Sequence, residues 1–218
     1  MDNQVDPGTN ANVAACSNGG VINMFAQLGG TPTAGGTWTA PAGASHSGSF
    51  QPGVDPPGAY TYTVGGAGAC GTPQSSTVNV TVHPLPNAGT SSSMAACSTD
   101  AAQSMFALLG GSAQAGGTWS GPSPVVGGMI DPATMSAGVY TYTVNGIAPC
   151  PSESTTVTVT INTPPAPGTP GTITLCSSDA PASLFAQLGG TPDAGGAWSG
   201  PSPVVGGMID PATMSAGV

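Results

Sequence analysis

One feature constrains the fold of this chain more than any other: the same 21 residues, WSGPSPVVGGMIDPATMSAGV, occur at 119–139 and again at 198–218. A diverged third copy begins at Trp38. The similarity extends beyond the exact copy, since 34 of the 43 positions in 97–139 are identical in 176–218. A fixed period sets the architecture before single residues are considered, so the sequence predicts a tandem array of units of about 80 residues.

Composition excludes several classes of function. The chain has no Lys and no Arg and a net charge of −9, whereas nucleic-acid binding depends on basic side chains that neutralise phosphates. Anionic membrane surfaces attract the same basic side chains, and no run approaches the ~20 apolar residues that a spanning helix needs. We therefore expect no nucleic-acid partner and no membrane insertion.

Alternating residues near the end of each unit predict β-strands. Residues 60–64 alternate Tyr and Val with Thr, residues 78–82 alternate Val with Asn and Thr, and the second unit repeats both patterns. A period of two is typical of strands with one buried face. For residues 24–28 a strand and a short helical turn remain open, and the Gly-Gly-Thr-Trp segment predicts a core strand. Short strands with Gly and Pro turns predict an all-β chain of tandem immunoglobulin-like (Ig-like) β-sandwiches.

Proline-rich linkers at 83–90 and 162–170 separate the units. The predicted domains are repeat 1 (1–83), repeat 2 (84–163) and repeat 3 (164–218). Val218 corresponds to Val139, so repeat 3 is C-terminally truncated and lacks the tyrosine strand, the second cysteine and the last Val/Thr strand. We favour a fragment of a longer secreted protein over strands donated by another chain, because strand donation usually replaces one strand.

The cysteines predict structural disulfides. Cys16 and Cys70 in repeat 1 match Cys97 and Cys150 in repeat 2. We therefore predict the pairs Cys16–Cys70 and Cys97–Cys150, with the partner of Cys176 missing from the sequence. A loop of this length adds roughly 4 kcal/mol of stability in the chain-entropy model. Zinc and a reactive thiol are the alternatives, but zinc sites need clustered ligands such as a CxxC pair, and the sequence has none.

No residue set recurs with the repeat in a way that indicates catalysis. His46 lies in a loop of repeat 1 and His83 in a linker, and no Ser/His/Asp set repeats. Acidic residues recur after the first cysteine and before a proline: Asp100, Asp179, Asp131 and Asp210. Calcium takes about six to eight oxygen ligands, so we predict turn capping by these carboxylates. We predict no enzyme, no catalytic or metal-binding residue and no cofactor.

The aromatic residues recur at matching positions beside alternating Val and Thr. This pattern predicts that they pack in the cores: Trp38, Trp119, Trp198, Tyr60, Tyr62, Tyr140 and Tyr142. The alternative is a glycan-binding platform, which requires solvent-exposed rings.

The motifs LFAQLGG, GG-T/A-WSGP, DPATMSAG and YTYTV together resemble the tandem Ig-like repeats of giant Bacteroidetes cell-surface and secreted proteins, of the gliding-motility-associated, type IX secretion kind. The resemblance covers essentially the whole chain. It implies an extracellular or cell-surface location and a role in adhesion or in fibres, without enzyme activity. Gly-x-Tyr-x-Tyr also resembles the tyrosine-corner strand of Ig domains, with Tyr62 and Tyr142 where antibody domains place a cysteine. That departure favours the unit-spanning disulfide over the usual inter-sheet one.

Three functions follow as hypotheses. The first is a rigid, non-catalytic stalk or adhesive segment whose partners are other repeats of the same protein. The second is a subunit of a self-assembling extracellular filament, in which homotypic contacts complete repeat 3 by strand exchange; low charge and exposed strand edges favour it. The third is a glycan-binding module that recognises surface glycans.

Overall fold

The computed structural model describes residues 5–66 and 71–217. Within these ranges the secondary structure consists of β-strands and three short 3₁₀ turns, which confirms the predicted all-β class. In the part of the chain that is described, no helix is long and apolar enough to cross a membrane.

Repeat 1 forms two sheets. Its strands are β1 (Ala11–Cys16), β2 (Ile22–Asn23), β3 (Thr37–Thr39), β4 (Ser45–His46), β5 (Ser49–Phe50), β6 (Gly58–Val64) and β7 (Gln74–His83). One sheet has the order β1-β7-β6-β3-β4, and β2 pairs with β5. The first strand runs parallel to the last, with Ala11 opposite Val78 and Cys16 opposite His83, whereas β6 runs antiparallel to both β3 and β7. This is the immunoglobulin-like arrangement that the sequence predicts.

A 3₁₀ turn at Phe25–Gln27 follows β2. It decides the open question at residues 24–28 in favour of a helical turn.

Repeat 2 repeats the same plan. Its strands are β8 (Ser92–Cys97), β9 (Gln103–Ser104), β10 (Thr118–Ser120), β11 (Met129–Ile130), β12 (Gly138–Val144) and β13 (Glu153–Asn162), with a 3₁₀ turn at Phe106–Leu108. One sheet has the order β10-β12-β13-β8, and β9 pairs with β11. The predicted alternation is seen in the long strands, where Val157 and Val159 are buried and Thr158 and Thr160 are exposed.

Repeat 3 has a smaller set of strands. Among its described residues β14 (Ala182–Ser183) pairs with β15 (Met208–Ile209), and a 3₁₀ turn spans Phe185–Gln187. The core strand predicted at the Gly-Gly-Thr-Trp segments is confirmed by β3 and β10, whereas the matching Trp198, which follows Gly-Gly-Ala, lies outside any strand. In repeat 2 the matching Trp119 is a strand residue because it pairs with Tyr142 of β12, and the sequence of repeat 3 stops before that strand.

Among the described residues, the buried side chains all lie in repeats 1 and 2. Tyr60, Phe50 and Val78 in repeat 1 and Tyr140 and Ile130 in repeat 2 are 0% exposed. From residue 163 to residue 217 no described residue is buried. The two cores therefore lie in the repeats that have the tyrosine strand.

The chain divides into two compact units, Met1–Ala96 with Ala101–Thr160, and Cys97–Asp100 with Ile161–Val218. The first unit contains most of both repeats that have a core. The three-domain division at residues 83/84 and 163/164 stays a prediction.

Candidate functional site at the junction of the first two repeats

Three aromatic rings meet where antibody domains place a disulfide against a tryptophan. The Tyr62 ring centroid lies 5.1 Å from that of Trp38 and 5.3 Å from that of Phe25. The Tyr62 hydroxyl donates to the Thr33 carbonyl oxygen at 2.7 Å and accepts from the Gly36 amide at 2.8 Å. Tyr62 thus packs on the turn that follows β2, and its hydroxyl holds the loop before β3, at the position where antibody domains place a cysteine.

The same cluster recurs in repeat 2. Tyr142 packs 4.9 Å from Trp119 and 5.6 Å from Phe106, and its hydroxyl donates to Gln114 and accepts from Gly117. Trp38 and the four tyrosines are buried, whereas Trp119 and Trp198 are partly exposed.

The tyrosine two positions earlier forms a tyrosine corner in each complete repeat. Tyr60 donates its hydroxyl hydrogen to the Pro56 carbonyl oxygen at 2.8 Å, and Tyr140 donates to Ser136 at 2.7 Å. Both acceptors lie four residues upstream, which is the geometry of this feature in Ig domains.

His46 is held within the core edge of repeat 1. Its Nε2 lies 3.5 Å from Asp55 Oδ2, its Nδ1 accepts from the Gly48 amide, and its ring packs 4.8 Å from Tyr60. Burial raises the pKa of Tyr60, and the Asp55 carboxylate raises it further. The His46 nitrogens therefore have structural partners in the turn and on Asp55.

The recurring aspartates cap turns, as predicted. Asp131 accepts from the Ala133 amide at 3.0 Å and from the Thr134 hydroxyl at 2.9 Å. Asp100 accepts from the Cys97 amide at 2.8 Å. Among the described residues no group of three metal-ligating side chains comes together.

The disulfide of the structure joins two different repeats. Cys16 is bonded to Cys150, 134 residues further along the chain, with a Cα–Cα distance of 5.0 Å. Cys150 is 6% exposed, and its Sγ lies 3.4 Å from the carbonyl oxygen of His83, the last residue of β7. The bond therefore closes the junction at which repeat 1 ends and repeat 2 begins.

This bond contradicts the predicted pairs Cys16–Cys70 and Cys97–Cys150. Cys16 lies opposite His83, at the end of β7, whereas residue 70 precedes the start of β7 at Gln74. A strand of ten residues spans about 33 Å, and bonded cysteines need Cα atoms within about 7 Å. The two ends of such a strand are therefore too far apart for a disulfide to join them; Cys70 itself lies outside the described residues.

Repeat 2 gives the same result with both cysteines described. The Ser98 amide, next to Cys97, donates to the Asn162 carbonyl at the end of β13, while Cys150 precedes the start of β13 at Glu153. Within the described residues Cys97 and Cys176 carry no disulfide. The parallel pairing of the first and last strands was the missing signal, since it alone shows at which end the first cysteine lies.

Repeat 3 presents an open cleft where repeat 2 is filled. A cavity of about 600 Å³ is lined by residues that include Ile173, Leu175, Trp198, Ile209 and Met214. A Cβ placed on Gly117 in repeat 2 would lie 2.6 Å from the Tyr142 ring, whereas one on the matching Gly196 would meet nothing within 4 Å. The cleft is the space that the tyrosine strand occupies in repeat 2.

No protein-family model and no curated protein sequence matches the chain. Among solved structures the chain is similar to the insect immune protein hemolin, which is described as having a new domain arrangement with implications for homophilic adhesion. The match has 13% identity and a TM-score of 0.36, and it covers 74% of this chain and 46% of the hemolin chain. The I67–I69 I-band fragment of titin matches with 14% identity and a TM-score of 0.38, and the match covers 79% of this chain and 67% of the titin fragment. Immunoglobulin domains 1–4 of Sidekick-1 match with 11% identity and a TM-score of 0.35, and the match covers 72% of this chain and 48% of the Sidekick-1 chain. The chain thus spans about half the length of the hemolin and Sidekick-1 chains.

Proposed function

We propose that this chain is a non-catalytic structural segment of a secreted bacterial surface protein, a stalk of Ig-like repeats with a covalently fixed junction. The observation that carries the proposal is the Cys16–Cys150 disulfide between consecutive repeats. A stalk that transmits orientation or tension along its length gains stiffness from a bond placed at a junction.

The junction has two covalent connections. The chain itself crosses between repeats through the proline-rich segment at 83–90, which restricts backbone motion. The disulfide provides a second connection beside His83. Two separate connections between the same bodies remove most of the hinge bending that a single linker allows, so the pair of repeats acts as a longer rigid element.

The composition of the chain supports an extracellular location for this rigid pair of repeats. Structural disulfides persist in oxidising compartments, and the absence of Lys and Arg removes the cleavage sites of trypsin-like proteases. The bacterial cell surface as the location is proposed on the resemblance of the repeat motifs, and the proposed partners are other repeats of the same protein.

The residues with catalytic chemistry have structural roles, which supports the absence of an enzyme activity. Asp131 uses both oxygens in its own turn, and His46 contacts a turn amide and Asp55. Glycan binding ranks last among the proposals, because Trp38 and the four tyrosines pack inside the repeats.

The stalk proposal is tested by comparing the oxidised chain with the C16S/C150S variant in negative-stain images and small-angle scattering. The oxidised chain is expected to keep one angle between repeats 1 and 2, and the variant a broad distribution of angles. The C97S/C176S variant is the matched control, since it removes two cysteines and leaves the junction bond intact. Equal angle distributions in all three chains would contradict the proposal.

A second candidate is a filament subunit in which another chain covers the cleft of repeat 3 by strand exchange; the low charge of the chain, with 4% charged residues, favours it. The apolar lining around Trp198 and Ile209 matches the surface that β12 covers in repeat 2. Light scattering across a wide concentration range separates the candidates: ordered fibres that disappear in a W198A variant favour the filament, and a monomer at high concentration removes it.

A further inference from the structure

We infer that Cys97 is the attachment site for the second cysteine of a following repeat, so that the bond between repeats 1 and 2 recurs from junction to junction along an array. The inference goes beyond the stalk proposal, since it concerns the connectivity of cysteines that carry no bond in the described structure. Each link would join the first cysteine of one repeat to the second cysteine of the next.

The backbone around Cys97 repeats the backbone around Cys16. The residue after each cysteine donates its amide to the last residue of the last strand, Ser17 to His83 at 2.9 Å and Ser98 to Asn162 at 2.8 Å. A tight turn follows in both cases, because the cysteine carbonyl accepts from Gly19 at 2.8 Å or from Asp100 at 3.0 Å. Cys97 therefore stands at the end of repeat 2 in the same setting as Cys16 at the end of repeat 1.

The structure also defines the partner. Cys150 lies in the loop between β12 and β13, in a turn closed by its amide on the Ile147 carbonyl at 2.8 Å, and it reaches the end of the preceding repeat next to His83. A cysteine able to bond Cys97 must lie in the same loop of the repeat that follows Asn162. The inference places the matching loop of the following repeat beside Cys97, as the first junction places Cys150 beside Cys16.

A bond within repeat 2 is excluded by the fold. Cys97 belongs to the Asn162 end of β13 and Cys150 to the Glu153 end, and ten residues of strand separate them by about 33 Å. The bond itself forms by thiol–disulfide exchange, in which two thiols lose two protons and two electrons to a disulfide such as oxidised glutathione, which is reduced to two thiols.

The test supplies the missing loop from the chain's own sequence. A copy of residues 140–162 is added after Val218, so that repeat 3 gains the tyrosine strand, a second cysteine and the last strand. The lengthened chain is refolded in a glutathione redox buffer and digested with pepsin, because it has no tryptic sites. Mass spectrometry should find Cys16–Cys150 together with a peptide that joins Cys97 to the added cysteine.

Two substitutions sharpen the result. C97S should leave the added cysteine as a thiol that an alkylating reagent labels, whereas the matched C176S variant should keep the new bond. An added cysteine bonded to Cys176, or one that stays a thiol in the lengthened chain without substitutions, overturns the inference.

A second measurement does not require the added segment to fold. In the chain without the added segment, the C16S substitution releases Cys150 from its partner. The inference predicts that Cys97 and Cys150 both remain open to alkylation after oxidation. A Cys97–Cys150 bond would show that the two cysteines of one repeat can meet, and would overturn it.

Discussion

Repeats 2 and 3 share an uninterrupted run of 21 identical residues, and this run forms different structures in the two repeats. Trp119 is in a strand paired with Tyr142, while Trp198 is in none. Ile130 is 0% exposed, while Ile209 is only partly buried. The strand at the tryptophan therefore depends on pairing with the tyrosine strand, and the identical sequence does not form a strand where that partner is not present.

Other features of the same 21 residues are identical in both repeats. Asp131 and Asp210 each accept from the amide two residues later at 3.0 Å and from the threonine hydroxyl three residues later at 2.9 Å. Turns of this kind close within a few residues, so the local sequence determines them. The comparison separates what is encoded locally from what needs distant strands.

The largest expected effect comes from removing the tyrosine that distinguishes the two repeats. Y142A should destabilise repeat 2 by about 3–5 kcal/mol, because it deletes a buried aromatic ring from the Trp119 cluster. Denaturant unfolding followed by tryptophan fluorescence measures the loss. V139A is the matched control on the same strand, since Val139 is 52% exposed; equal losses in the two variants would contradict this account of the core.

The next effect concerns the junction. Reduction of the disulfide, or the C16S/C150S variant, should lower the free energy of unfolding of the first unit by about 2–5 kcal/mol. Thermal unfolding with and without reductant gives the value. The C97S/C176S chain should unfold like the unsubstituted one, and a similar loss in that control would show that other cysteines carry the stability.

A smaller effect is expected from single hydroxyl groups. Y140F removes the hydrogen bond to Ser136 and should cost about 0.5–1.5 kcal/mol. Y142F removes two hydrogen bonds, one donated to the Gln114 carbonyl oxygen and one accepted from the Gly117 amide, and should lower the free energy of unfolding more than Y140F does. Denaturant midpoints rank the two variants, and the reverse order would show that the tyrosine corner contributes more stability than the hydrogen bonds to the loop before β10.

The smallest effect is the pH dependence that Tyr60 of repeat 1 contributes. Because burial and Asp55 raise the pKa of Tyr60 in the folded state, the unfolded chain loses this proton first, and stability falls as the pH rises above about 10. The fall should be shallower in Y60F. Stability curves for the two chains between neutral and alkaline pH provide the measurement, and identical slopes would argue against the raised pKa.

The sequence predicted the fold class, the strand alternation at residues 60–64 and 78–82 and the capping aspartates, because each depends on a period or on neighbours in the chain. It led to the wrong cysteine pairs, and it did not distinguish Trp198 from the tryptophans of repeats 1 and 2, which lie in strands. The strand at Trp198 needs a partner that is distant along the chain, and the cysteine pairs depend on the parallel placement of β1 along β7, which places Cys16 beside His83. Long-range strand pairing, which no local pattern reveals, decides both.

The most direct test of the central claim is disulfide mapping of the purified, oxidised chain. After alkylation of free thiols, digestion with pepsin and mass spectrometry, the account predicts a linked peptide pair that contains Cys16 and Cys150, with Cys97 and Cys176 alkylated. A Cys16–Cys70 or Cys97–Cys150 peptide would contradict it, because the bond would then lie within one repeat and no disulfide would join repeats 1 and 2.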